Sequence, residues 1–411
     1  MARPVGLSQW FQTVSTYLPH LSQPHRTSLV LWSCGIVVAQ SCGLTTVAAF
    51  LACLLDKAAA TGREQRRHWY REGDHKSGAK RGDKRRSLEV APCFAPLRRW
   101  VVAWSDPAAR QLALAMDAAT LGQRFTLLLS SVVGRGCAIP IAWRLVEATR
   151  PGAWRPHGEA LFGHLQGSVS SDWTVIVLAT RGLYAHWVFT TIQALGWHPF
   201  LRINRQGPYR PHGSPTWRPL TQVVSQIGQQ WAGPVHCFRT SARQLSCTLL
   251  ARWAPGYREP WLVWTDLPST PADVAWDGLR AWIECGCQAS KRGGWHWEQT
   301  KLTDPARAER LWLAMAVATW WTVSLGCPAD ATRPQPDLSR LPERHIARRY
   351  IARPRPARPL RCCRRGRLVI VAALCTAQAI PGGAVLPEPW PQSPALQDEP
   401  AIEQAQCLKA A

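Results

Sequence analysis

The sequence predicts an α/β protein: a mixed five-stranded sheet flanked by helices, interrupted by a β-rich insertion and preceded by a helical N-terminal domain. Three observations predict it. Three strand-like runs, QLALAMD (111–117), RFTLLLSSVV (124–133) and CAIPIAWRLVE (137–147), follow one another across the short connections AATLGQ and GRG. Such close spacing makes antiparallel neighbours. Next come an isolated strand WTVIVLA (173–179), a helical pattern LYAHWVFTTIQALG (183–196) and a strand HPFLRIN (198–204). That alternation adds parallel strands with helices on the sheet faces. Beyond 204, strand-like runs return between Gly and Pro residues: GPVHCFRT, RQLSCTLLARWA and EPWLVWTDL.

The elements follow in order. Residues 1–100 read as helical and basic. Residues 27–55 carry no charge, a length that could span a bilayer. Gln40-Ser41-Cys42-Gly43 interrupts the run, and Thr45 and Thr46 suit a helix start. The expectation is two short buried helices joined by a turn, not a membrane span; the apolar run also begins too far in for a secretory signal. Residues 63–87 hold ten Lys/Arg against four acids, with Trp69 and Tyr70 among them. They suit a DNA backbone, or equally a solvated linker. The core then occupies 101–204, with a further helix near 158–167, and the insertion 205–265. Residues 266–326 complete the core with two helices, 273–293 and 304–326, the second capped by Asp304 with Pro305 in its first turn. Residues 327–411 form a Pro/Arg-rich tail, with twelve arginines against two acids between 333 and 367. No internal repeat is evident.

Composition narrows the partner. Of 411 residues, 49 are Lys or Arg and 26 Asp or Glu, a net charge of +23. That excess points to a polyanion, most simply nucleic acid. The 23 tryptophans suit core packing for the most part, with a minority free to stack on bases. Fourteen cysteines without a C-x-x-C argue against a zinc site and fit reduced thiols.

In open α/β sheets, ligands gather at the carboxyl ends of strands. Asp117 and Thr180 both fall there. On the helix predicted over 273–293, Arg280, Glu284 and Lys291 share one face within roughly 40°. Ion pairing on a solvated face would produce the same spacing.

In order and context these motifs resemble the DDE transposases of bacterial insertion sequences, in the group with a β-insertion in a ribonuclease H-like core. That group carries Tyr-x2-Arg-x3-Glu-x6-Lys on its last catalytic helix. Here the pattern falls on Asp277, Arg280, Glu284 and Lys291, three of the four matching. The stretches 117–128, 181–189, 198–204 and 291–319 also read like the family. The resemblance implies a ribonuclease H-like fold and two-metal DNA cutting and joining, with Mg²⁺ or Mn²⁺ about 4 Å apart. It implies Asp117 as the ligand bridging both ions, Glu284 as the third carboxylate, and the middle one at position 180. Arg280, Lys291 and Arg181 would face phosphates, with Arg66, Arg67, Lys80 and Arg81 in the basic N-terminal segment. The implied partners are double-stranded DNA, both element ends and target, and a second copy of the chain in a homodimer. The implied location is the bacterial cytoplasm at the nucleoid, without membrane.

The sequence departs from the pattern at the centre. Thr180 stands where the middle Asp belongs, Asp277 replaces the aromatic, and Cys287-Gln288-Ala289-Ser290 is atypical. Asp172 lies about 26 Å away along its strand and Glu298 about 21 Å along a continuous helix; Glu147 ends a neighbouring strand. A threonine hydroxyl can ligate Mg²⁺ but is neutral. These departures imply impaired cutting. The alternative is a non-catalytic DNA-binding regulator or inhibitor of transposition.

Overall fold

The first strands pair as their spacing requires. β1 (Gln111–Leu121), β2 (Phe125–Gly134) and β3 (Cys137–Glu147) form an antiparallel meander. β4 (Thr174–Ala179) lies parallel to β1, and β5 (His198–Arg202) parallel to β4. The structure, a computed structural model, describes residues 5–55, 59–71, 87–105, 110–148, 154–328 and 362–393.

The five-stranded expectation is corrected outward. The insertion strands β6 (Pro208–Pro211), β7 (Arg218–Pro219), β8 (Gln230–Cys237), β9 (Leu245–Arg252) and β10 (Trp261–Thr265) continue the same sheet. Its order is β3-β2-β1-β4-β5-β10-β9-β8-β6-β7, ten strands in all. β10 pairs antiparallel with β5, Thr265 opposite Phe200 and Val263 opposite Arg202. The reason is the edge. β5 alone would leave a row of unpaired backbone groups, and the wholly buried WLVWT run of β10 covers them.

The N-terminal helices are α1 (Val5–Tyr17), α2 (Gln23–Ala39), α3 (Leu44–Leu55), α4 (Ala59–Arg67) and α5 (Phe94–Ala103). α2 ends at Gln40 in the left-handed region (φ 50°), and α3 leaves at 95° to it. No single helix among the described residues is long and apolar enough to cross a membrane. α6 (Trp154–Gly163) and α7 (His186–Ala194) pack on each other beside the sheet. α9 (Pro305–Gly326) is buried on nearly every side, as an all-round apolar helix must be. Its start is as expected: Asp304 accepts the Arg307 N–H at 2.8 Å, and Pro305 opens the first turn. Trp10 stacks on Trp321 with ring centres 4.2 Å apart, and Trp100 lies 4.1 Å from Trp320. These tryptophans join α1, α5 and α9 into a core continuous with the sheet.

The helix expected over 273–293 is broken. Val274–Ala281 is a 3₁₀ helix, started by Asp273, whose side chain accepts the Ala275 N–H. α8 (Trp282–Ser290) follows. It stops because Gly294 folds back on Ala289, where an added Cβ would collide with the carbonyl.

Past Cys327 the described chain resumes at α10 (Cys362–Cys375), which packs on α9. Gly326 and Gly366 let the backbones touch; a Cβ on either would strike a carbonyl of the other helix. Residues 376–393 then run back across the molecule. Val385 N bonds Trp104 O (2.9 Å), and Arg135 N bonds Leu386 O (2.8 Å). The buried Glu388 accepts the Gly136 N–H, and Trp390 sits 4.5 Å from Trp276.

Candidate functional site

The strand register brings the first two site residues together. Met116 of β1 pairs with Ala179, the last residue of β4, so Thr180 leaves its strand beside Asp117; the strand-end expectation for Asp117 is corrected, since β1 runs on to Leu121 and Asp117 pairs with Leu129 of β2. Asp117 is half-buried, and its Oδ1 accepts the Ala118 N–H at 2.9 Å. Thr180 opens the turn into α7, its carbonyl accepting the Leu183 N–H at 2.9 Å.

The third comes from α8, which packs across β3, β2 and β1. Close packing depends on Gly286, whose missing Cβ would lie 2.7 Å from the Ala138 carbonyl oxygen. Glu284 sits in the first turn, half-buried. Burial pushes its carboxyl up, against the opposing pull of Arg280 and Lys291. The Cys287 thiol is pushed up to about 12 by burial, then by the negative fields of Asp117 and Glu284. Both acids therefore act on one buried point between α8 and β1.

The flanking cations are placed differently from the continuous-helix expectation. Arg280 lies in the 3₁₀ segment and Lys291 just past the end of α8, so the three residues do not share one helical face. Both cations still act on Glu284. Arg181 pairs with Glu259 of the β9–β10 connection at 2.7 Å, which holds that carboxyl below its usual range.

Asp277 is explained by packing. It is 2% exposed and pairs with Arg202 of β5 at 2.6 Å, while Arg202 lies over the Trp261 ring at 4.9 Å. It therefore points into the core. Arg202 and Glu259 escaped the sequence reading. The one signal was a charged residue at an otherwise apolar strand end in HPFLRIN.

Among the basic N-terminal residues, Arg66 is corrected. It is 4% exposed, spent on the Gly62 carbonyl inside α4, and unavailable to a surface ligand. Arg67 is exposed beside Glu64, at 3.3 Å. Lys80 and Arg81 lie outside the described residues. A groove of about 920 Å³ gathers Arg67, Arg71, Lys301 and Arg307 around the start of α3 with Thr45 and Thr46. The helix N-terminus adds its own positive end. Lys301 belongs to the segment that leaves α8, and Arg124 anchors that segment through the Leu302 carbonyl (3.1 Å).

This corner supplies two carboxylates and a neutral hydroxyl, one negative charge short of three carboxylates; Mg²⁺ takes hard oxygens from carboxylates, water and phosphate. Among the described residues no group of three or more His, Cys, Asp or Glu side chains gathers to hold a metal ion. What the arrangement can do is present cations to an anionic backbone. No protein-family model matches the chain, and no curated protein matches it.

Proposed function

We propose that the chain is a transposase-type protein with a ribonuclease H-like core, which binds double-stranded DNA but is impaired in cutting it. One observation carries the reading. Asp117 of β1 stands beside the end of β4, where Thr180 follows Ala179, and α8 carries Glu284 across the same strands, an order like Asp-Asp-Glu with the middle carboxylate missing. The DNA half rests on the +23 net charge and on the groove at the start of α3 lined by Arg67, Arg71, Lys301 and Arg307. Phosphate contacts of that kind position a duplex without reading its sequence. Arg280 and Lys291 serve the same backbone beside Glu284, and a homodimer at the nucleoid would hold two DNA ends.

The test is a gel shift and a nicking assay on duplexes of the DNA that flanks the gene and on unrelated duplexes, with Mg²⁺ and with Mn²⁺. Retarded duplex without nicking is expected. Nicking that disappears in Asp117→Ala would overturn the impairment. Absence of a shift at low salt would overturn the DNA reading.

A further inference from the structure

Two pairs of thiols lie where α9 ends, α10 begins and β3 starts. Cys137 Sγ lies 3.4 Å from Cys363 Sγ, and Cys362 Sγ lies 3.8 Å from Cys327 Sγ. The pairs adjoin: Cys137 acts electrostatically on Cys362, and Cys327 on Cys137. They are held by backbone, because Gly326 and Gly366 bring α9 and α10 into direct contact. Cys137, Cys327 and Cys362 are buried, while Cys363 is half-buried and gives the way in. The adjacent thiol and burial keep Cys137 and Cys362 well above the ordinary thiol range, so both rest protonated and the half-buried Cys363 is the thiol open to attack from outside.

We propose that this junction is a dithiol site for low-molecular-weight disulfides, which close Cys137–Cys363 and Cys327–Cys362 as intramolecular bonds. Cys363 thiolate attacks one sulfur of the small disulfide, forming a mixed disulfide and expelling one small thiolate. Cys137 thiolate attacks Cys363 Sγ and expels the second. Two protein thiols are oxidised, one small disulfide is reduced to two thiols, and the protein's two protons go to them. The inner pair closes by exchange. Cys362 thiolate attacks Cys137 Sγ and frees Cys363; Cys327 thiolate then attacks Cys362 Sγ and frees Cys137. A second small disulfide reoxidises the outer pair. The first bond ties α10 to the first residue of β3, and the second ties it to the end of α9. Neither bond requires the DNA reading.

The experiment treats the reduced full-length chain with oxidised glutathione, blocks free thiols with iodoacetamide, and maps unreduced peptides by mass spectrometry. Both cross-links are expected, removing four of the fourteen thiols. Cys327→Ser should keep Cys137–Cys363. Cys363→Ser should lose that bond and slow the inner one. Cys285→Ser, which alters the half-buried thiol near Cys137 on α8, should keep both. Glutathione confined to the exposed Cys53 and Cys375, with the four junction thiols alkylated, would overturn the proposal. So would a stoichiometric metal ion on these thiols that blocks their oxidation.

Discussion

Arg202 and Asp277 form an ion pair almost closed to water, 5% and 2% exposed. Burial lowers the Arg202 pKa, and Asp277 works against that shift. Removing one partner of such a pair strands a buried charge and costs about 3–5 kcal/mol. Asp277→Ala should lose that much in denaturant unfolding, and the double variant Arg202→Met/Asp277→Leu should recover most of it. Glu284 behaves in the opposite sense. Its folded-state pKa is raised, so the folded chain binds its proton more tightly than the unfolded chain. The stability linked to that proton is complete below the ordinary glutamate pKa and is lost as pH rises through the raised one. Glu284→Gln should flatten this decline above the ordinary glutamate pKa of about 4.3, read from unfolding midpoints. The neighbourhood of Asp117 and Thr180 was legible because their strands pair in parallel, Met116 opposite Ala179. The core pair was not, because a period-two pattern says which face a charge takes and nothing about who meets it.

At the level of elements, the sequence marked the strands well and the breaks poorly. Asp304 and Pro305 gave the start of α9 correctly through local chemistry. The 3₁₀-to-α change at Ala281–Trp282 was invisible, because both helix types place apolar residues three to four apart. The sheet-wide pairing of the insertion was equally hidden, since β10 finds β5 across some sixty residues of intervening chain. α10 was lost in the Arg-rich composition around it, although its Gly366 is the feature that seats it on Thr322 of α9. Overpacking at such a contact costs about 1–3 kcal/mol. Gly366→Ala should unseat α10, and limited proteolysis should then cut within 362–393 well before the rest of the chain.

The molecule as a whole is a strongly positive body with a groove near the start of α3. Binding through phosphates releases counterions, so affinity falls with salt by a slope of about 0.9 per contact. Lys301→Ala and Arg307→Ala, both exposed in that groove, should each shrink the slope by about one, uniformly across DNA sequences. Arg66→Ala should leave the slope alone and lower stability instead, since its guanidinium is interior. Titrations of fluorescent duplex against salt would separate the two effects.

Arg367 of α10 donates to the Val37 and Val38 carbonyls at the end of α2, and Gln9 of α1 accepts the Ile380 N–H. Helices α1 and α2 thus find neighbours in residues 362–380, more than three hundred positions further along the chain. A nascent chain on the ribosome must carry those helices with one flank uncovered until that stretch has been made, a slow, long-range closure of the kind that invites chaperone capture. A gene copy cut short before codon 362 would leave that flank permanently bare, and its product should fall to proteases.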